Sequence, residues 1–202
     1  MKIVVIGAGY VGLPIAVAFA KYHNVICFDI NNNRINNLKK GIDKNKQILK
    51  KKILQKNLIF TSNQKDIIAK QIYIVTVPTP ITKQKKPDLS MLKNASRIVG
   101  KSIVKKSIVI FESTTFPGCT EDVCVPLIER NSNMYCEKDF QVAYSPERLN
   151  PGDEKNTLFN ITKIVASNNK KTLKKVKDLY MKICKSIYEI QNIKNCKMKN
   201  IK

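Results

Sequence analysis

The chain alternates short apolar runs with longer stretches in which apolar residues recur at helical spacing. The first run, residues 2–6 (KIVVI), is β-branched and does not alternate, as expected of a parallel strand buried on both faces. Residues 24–30 (NVICFDI) repeat that character, and 58–61, 71–77 (QIYIVTV), 107–111 (SIVIF) and 140–144 complete six predicted strands. After Gly12, LPIAVAFAKY reads as a helix. NNNRINNLKKG reads as another, with Ile35 and Leu38 on its inner face and Gly41 as its C-cap. Residues 62–70 predict a short helix with Ile67 and Ile68 inward, and 88–100 a returning helix. Residues 120–130 predict a helix with Glu121 and Asp122 in the first turn, where the dipole favours them. The lysine-rich stretch 43–56 predicts a mobile helical excursion, residues 161–167 a further strand, and 170–185 a further helix. Six strands alternating with helices give two mononucleotide-binding halves. The expected class is α/β, a doubly wound parallel sheet of Rossmann type.

The junction after the first strand carries the chemistry. Gly7-x-Gly9-x-x-Gly12 lies between a predicted strand and a predicted helix, the context that a dinucleotide-binding turn requires. Gly7 allows the tight turn, Gly9 the close approach of a pyrophosphate, and Gly12 the packing of helix on strand. The N–H groups around Tyr10 and Val11 then face the phosphates at the positive end of the helix. The second strand closes on Asp29, twenty residues after Gly9. A carboxylate there accepts from the adenosine ribose hydroxyls and repels a 2′-phosphate, favouring NAD over NADP. The alternative is an empty turn with Asp29 capping the next helix. Arg34 either reaches the adenosine end of the cofactor or is a solvated helix charge.

Two later strand ends point the same way. Residues 71–77 run into Pro78-Thr79-Pro80, and two prolines there end the ladder and stiffen a loop where ligands of open α/β sheets bind. The fifth strand runs into Glu112-Ser113-Thr114-Thr115, whose hydroxyls either serve a reacting alcohol or carbonyl or close a turn.

Composition adds limits. No apolar run is long enough to span a bilayer, and Met1 leads directly into the first strand, leaving no room for a signal peptide. A cytoplasmic protein with no membrane partner is expected. The six cysteines form no CxxC pair, and the single His23 cannot complete a zinc set, so no metal site is expected. The net charge of +22 suggests a polyanion partner. The lysines, however, are spread along the chain among many Asn and Ile, and aromatics do not interleave with them. A compositional bias explains the charge more simply, and no specific nucleic-acid partner is expected.

With these residues placed, GAGYVGLP, FDIN with Arg34, VTVPTP, KPDLS, ESTTFPG and YSPERLNPGD occur in an order that resembles the amino-terminal part of the UDP-glucose/GDP-mannose dehydrogenase family. The wording SPERLNPGD is closer to the branch acting on UDP-N-acetylhexosamines. The resemblance implies oxidation of a sugar C6 alcohol to a carboxylate by two hydride transfers to NAD, through a cysteine-bound thiohemiacetal and thioester. It implies that Val11, Asp29, Arg34, Thr79 and Thr114 line the cofactor and that Thr114 also orders water near the reacting carbon. Glu147 takes the acid position of the substrate loop, and Arg148, Leu149 and Asn150 contact the UDP-sugar.

The resemblance also shows what the sequence lacks. Family members continue with a central helix carrying IKxAExxK and then a Gly-Gly-x-Cys nucleophile loop. In the register set by Ile193-Lys194, the acid falls on Lys197 and the catalytic lysine on Asn200. The last glycine is Gly152, and none of the six cysteines stands in the Gly-Gly-x-Cys context. The expected organisation is an NAD-binding domain over 1–188 and a frayed basic tail over 189–202, truncated before the central helix and second domain. Two functions follow. One is the NAD-binding part of a nucleotide-sugar dehydrogenase whose remaining half is supplied elsewhere, as by a separately encoded chain, or has been lost. The other is a stand-alone NAD-binding module or inactive truncation.

Overall fold

The computed structural model describes residues 1–146 and 160–198. Its strands are β1 (Lys2–Ile6), β2 (Asn24–Phe28), β3 (Leu58–Thr61), β4 (Ile72–Val75), β5 (Ile108–Phe111), β6 (Gln141–Tyr144), β7 (Thr162–Ser167) and β8 (Ser186–Gln191). They form one sheet in the order β3-β2-β1-β4-β5-β6-β7-β8. The first six are parallel, β7 pairs antiparallel to β6, and β8 lies parallel to β7. The doubly wound sheet is therefore present, with a β-α-β extension beyond it. Strands β4 and β5 are buried at every position, which the absence of alternation in the sequence requires.

Helices cover both faces. The first layer comprises α1 (Gly12–Phe19), α2 (Asn32–Lys39), α3 (Lys50–Ile53) and α6 (Lys170–Tyr180), whose apolar residues share one core with Ile3, Val5, Val25 and Ile110. The second comprises α4 (Ser90–Gly100), α5 (Val125–Ser132) and α7 (Ile193–Met198), packed with Val4, Ile6, Val75 and Phe111. Alternate residues of one strand thus feed opposite cores, as the two-residue period of a strand dictates.

Several local expectations are corrected. Over 62–70 there is only a 3₁₀ turn, Gln64–Ile67, and the chain is extended at Ile68. Ile67 is buried as expected, but Ile68 is 44% exposed rather than inward. The helix expected from residue 120 opens as a π turn over Thr120–Cys124, with the Val125 N–H reaching back to the Thr120 carbonyl. Pro126, which has no N–H to give the preceding turn, follows at the start of α5. Within 43–56, Asp43 accepts from the N–H groups of Asn45, Gln47 and Ile48, folding that stretch into a turn ahead of α3. Of the stretch expected to fray, 189–202, residues 189–191 complete β8 and 193–198 form α7, with Ile190, Ile193 and Cys196 buried, while 199–202 lie outside the described residues. Three apolar residues suffice there because the β7 edge offers a full ladder from Thr162–Ser186 to Ser167–Gln191.

Candidate functional site at the carboxyl edge of the sheet

The five central strands end in register, since Ile6 pairs with both Phe28 and Val75, Val75 with Phe111, and Phe111 with Tyr144. The next residues form a row across the sheet: Asp29, Gly7, Thr76, Glu112 and Ser145. Each backbone N–H in that row continues the ladder by one bond, to Thr61, Phe28, Ile6, Val75 and Phe111 respectively. The strand order reverses between β1 and β4, so the crevice of a doubly wound sheet opens above Gly7 and Thr76.

Gly7 has φ +103°, a conformation that an L side chain rarely adopts. A Cβ on Gly12 would sit 1.8 Å from the Gly7 carbonyl oxygen, so the turn closes only because that position is glycine. Gly9 differs from both: a Cβ there meets nothing within 4 Å. Its surroundings are open on the side where the helix begins. Among the described residues, the N–H groups of Gly9, Tyr10 and Val11 donate no hydrogen bond, while the Gly9 carbonyl already accepts from Leu13. Unused donors at a helix start, over a glycine that leaves room, fit the oxygens of a pyrophosphate.

Side chains from neighbouring strands staple this turn. Thr76 Oγ1 donates to the carbonyls of Ile6 and Gly7 at 2.9 and 3.0 Å. Asp29 Oδ2 accepts from the Ala8 N–H at 2.8 Å and Oδ1 from the Asn31 N–H at 2.9 Å. The cap of α2 is Asn31, which accepts from Arg34 N–H, so Asp29 is not spent as that helix cap. Each Asp29 oxygen retains acceptor capacity on a partly exposed carboxylate. Arg34 is not a solvated helix charge. Its Nε donates to the Ala8 carbonyl at 2.9 Å, and its Nη2 lies 2.8 Å from Asp43 Oδ1 with the side chain only 12% exposed. That contact is an ion pair without hydrogen-bond alignment, and neither Nη atom makes a hydrogen bond among the described residues.

The loops after β4 and β5 are joined as well. Thr79 Oγ1 donates to the Thr114 carbonyl at 2.7 Å, and Ser113 Oγ to the Val77 carbonyl at 2.6 Å. Thr79 and Thr114 are thereby adjacent, with Thr114 exposed beside the crevice. Glu147, Arg148, Leu149 and Asn150 lie outside the described residues.

Two features escaped sequence reasoning. Thr76 is the only aliphatic hydroxyl in the run QIYIVTV and stands near its end, a signal that it serves the strand end. The larger omission is a cluster under the β5 loop. Glu112, Lys163 and Tyr180 are all fully buried, with Lys163 Nζ and the Tyr180 hydroxyl both donating to the Glu112 carboxylate. A lysine inside the apolar strand TKIVAS is the sequence signal for it. The thiols are placed away from solvent. Cys27, Cys119, Cys124, Cys184 and Cys196 are buried, and Cys136 is partly so. Burial, with the nearby Asp29 charge, pushes the Cys27 thiol up to about 12. Burial, followed by the charge of Glu137, does the same for Cys136, to about 12.

Residues 1–184 match the family model for the UDP-glucose/GDP-mannose dehydrogenase family, NAD binding domain. The chain belongs to that family. It is 47% identical over 182 residues to the protein CapL of Staphylococcus aureus, covering 90% of this chain and 43% of CapL. It is 44% identical over 196 residues to the UDP-N-acetyl-D-glucosamine 6-dehydrogenase of Salmonella typhi, covering 96% of this chain and 46% of that enzyme. A solved structure of UDP-D-ManNAc dehydrogenase from Pyrococcus horikoshii superposes with a TM-score of 0.89 at 30% identity, over 98% of this chain and 48% of that one. The chain thus spans about half the length of these relatives, and the half it spans is the NAD binding domain.

Proposed function

We propose that this chain supplies the hydride-accepting half of a UDP-N-acetylhexosamine 6-dehydrogenase, with NAD as cofactor. The observation that carries the reading is the open space over Gly9 beside three unused backbone donors, on a turn that Thr76, Asp29 and Arg34 hold in place. NAD, when bound, takes up hydride from the sugar C6. The N–H groups from Gly9 to Val11 would hold its pyrophosphate, and Asp29 would accept from the ribose hydroxyls while repelling a 2′-phosphate. Arg34 would stiffen the adenosine side through the Ala8 carbonyl, and Val11, Thr79 and Thr114 would line the path towards the reacting end.

In this reading Thr114 also orders the water near the reacting carbon. Glu147 acts as the substrate-loop acid, and Arg148, Leu149 and Asn150 contact the UDP-sugar. The cysteine nucleophile is supplied by a further half of the enzyme, outside these 202 residues, and the assembly works in the cytoplasm. No helix among the described residues is long and apolar enough to cross a membrane.

The test is NAD titration by calorimetry against Gly9→Val. Because nothing lies within 4 Å of a Cβ there, the variant should fold with an unchanged melting temperature and lose NAD binding. Retained affinity would overturn the assignment of the turn.

A further inference from the structure

The lysines are not evenly distributed over the folded molecule. Residues 39–56 carry eight lysines and one acid, Asp43, which is paired with Arg34. Residues 170–185 carry seven lysines and one acid, Asp178. Both segments belong to the first helix layer. On the opposite layer, residues 90–106, 120–132 and 193–198, a similar length of chain, together carry eight basic residues and three acids. A compositional bias acts on the sequence without regard to which face a residue will occupy. It predicts similar lysine enrichment on both layers and does not explain this contrast.

The two basic segments meet across the end of α1 that is remote from the glycine turn. On one side Gln55 Nε2 donates to the Val17 carbonyl, and Asn57 Nδ2 to the Ala20 carbonyl. On the other, Tyr180 packs edge-on to Phe19 with ring centroids 5.4 Å apart, and Lys182 Nζ lies 3.3 Å from His23 Nε2. Apolar side chains are exposed among these lysines. Leu49 (73%) and Leu54 (51%) flank the lysines of α3, Ile42 (49%) precedes Lys44, and Met181 (46%) precedes Lys182.

We propose that this face docks peripherally on an anionic lipid surface, independently of the NAD-binding reading. Ammonium groups on long stems suit a plane of phosphate headgroups, and exposed Leu, Ile and Met side chains between them can enter the boundary with the acyl chains. A nucleic acid is the less suited polyanion. The two segments contain no arginine for bidentate phosphate contacts, and the exposed groups between the lysines are aliphatic rather than a stacking platform.

The experiment is sedimentation of the 202-residue chain with vesicles of mixed phosphatidylglycerol and phosphatidylcholine, and with phosphatidylcholine alone. Binding is expected only to the anionic vesicles and should weaken as salt is raised. Two variants carry the same charge change. One reverses Lys50, Lys52, Lys174 and Lys175 to Glu; the other reverses Lys93, Arg97, Lys101 and Arg130 to Glu. All eight residues are exposed, and thermal melts report whether each variant folds. A lysine close to an anionic surface contributes roughly five-fold to partitioning, so the first variant should lose at least about ten-fold. The second should stay within about two-fold. Leu49→Ser with Leu54→Ser, which leaves charge unaltered, should also weaken binding. Equal losses in the two charge variants would overturn the proposal in favour of bulk charge. Failure to bind anionic vesicles would overturn it outright, as would a DNA duplex bound more tightly than the vesicles.

Discussion

The buried Glu112–Lys163 pair offers the most demanding test of the fold. Both side chains are 0% exposed, and the Tyr180 hydroxyl donates to the same carboxylate. Replacing Lys163 by Met keeps the aliphatic stem volume but removes the ammonium that donates to the carboxylate. Removing one partner of a fully buried pair costs about 3–5 kcal/mol, because the surviving charge is left desolvated. Against a total stability of roughly 5–15 kcal/mol, that is a large share. For a domain of this size it corresponds to a fall in Tm of roughly 6–20 °C. Protonating Glu112 discharges that carboxylate, so the penalty should shrink as pH is lowered towards the carboxylate range and be greatest at neutral pH. The double variant Lys163→Met with Glu112→Gln neutralises both members and retains an acceptor for the Tyr180 hydroxyl. It should recover at least half of the loss. The assay is urea unfolding of the four proteins of this cycle at neutral and mildly acidic pH. Additive losses in the double variant, or a Lys163→Met cost below about 1 kcal/mol, would refute the argument that the pair acts as a unit.

Three further outcomes are expected. Asp29→Asn should keep the Ala8 contact while losing charge, so NAD affinity should fall modestly and discrimination against NADP should narrow, read by calorimetry with both cofactors. Burial, then the charges of Lys182 and the amino terminus, lowers the pKa of His23 from its ordinary 6.5, so the fold favours the neutral ring. The unfolded chain then binds the proton more readily, and the His23 contribution to stability is present above about pH 6.5 and lost as pH falls below it. The difference in Tm between wild type and His23→Gln should change across that window, and a constant difference would count against it. Finally, the 202-residue polypeptide alone should not convert UDP-GlcNAc, UDP-GalNAc or UDP-glucose to a uronic acid. Five cysteines are buried, Cys136 is held in its thiol form, and none stands in the Gly-Gly-x-Cys context that a trap for the aldehyde would require. Steady formation of two NADH per sugar would contradict this, and its loss in Cys119→Ser would name a substitute nucleophile.

What the sequence made legible was whatever repeats with a period or needs a particular residue. The six parallel strands are non-alternating apolar runs, and Gly7 and Gly12 are glycines because a Cβ would strain or collide. What it hid depends on partners distant in the chain. Arg34 looks like a solvated charge on a helix until Ala8 and Asp43 are folded against it. Ile68 looks like the inner face of a helix, but the turn ends at Ile67. Strand β8 has only a weak pattern, SIYEIQ, and exists because the edge of β7 gives its backbone a ladder. The lysine asymmetry is invisible in a linear count, because residues 39–56 and 170–185 come together only across α1.

The row Asp29, Gly7, Thr76, Glu112 and Ser145 shows how the fold makes a precise edge from short strands. A four-residue strand such as β4 or β5 constrains the chain beyond it weakly, since one broken ladder bond would release the loop. Here each strand is followed by a residue whose own ladder bond extends the sheet. The four with polar side chains then fasten that edge to a separate segment: Asp29 to Ala8, Thr76 to Gly7, Glu112 to Lys163 and Tyr180, and Ser145 to the Ile164 carbonyl. The fastenings divide at the switch point. Asp29 and Thr76 converge on the glycine turn, while Glu112 and Ser145 converge on β7. The β7-α6-β8 extension therefore acts as a brace for the β5 and β6 ends, the ends from which the hydroxyl loop and the residues up to Pro146 depart. A perturbation of the brace, such as Lys163→Met, should loosen the Ser113–Val77 contact before it reaches Thr76. In a partly destabilised variant, hydrogen exchange at the β5 and β6 ends should consequently rise ahead of exchange around Gly7.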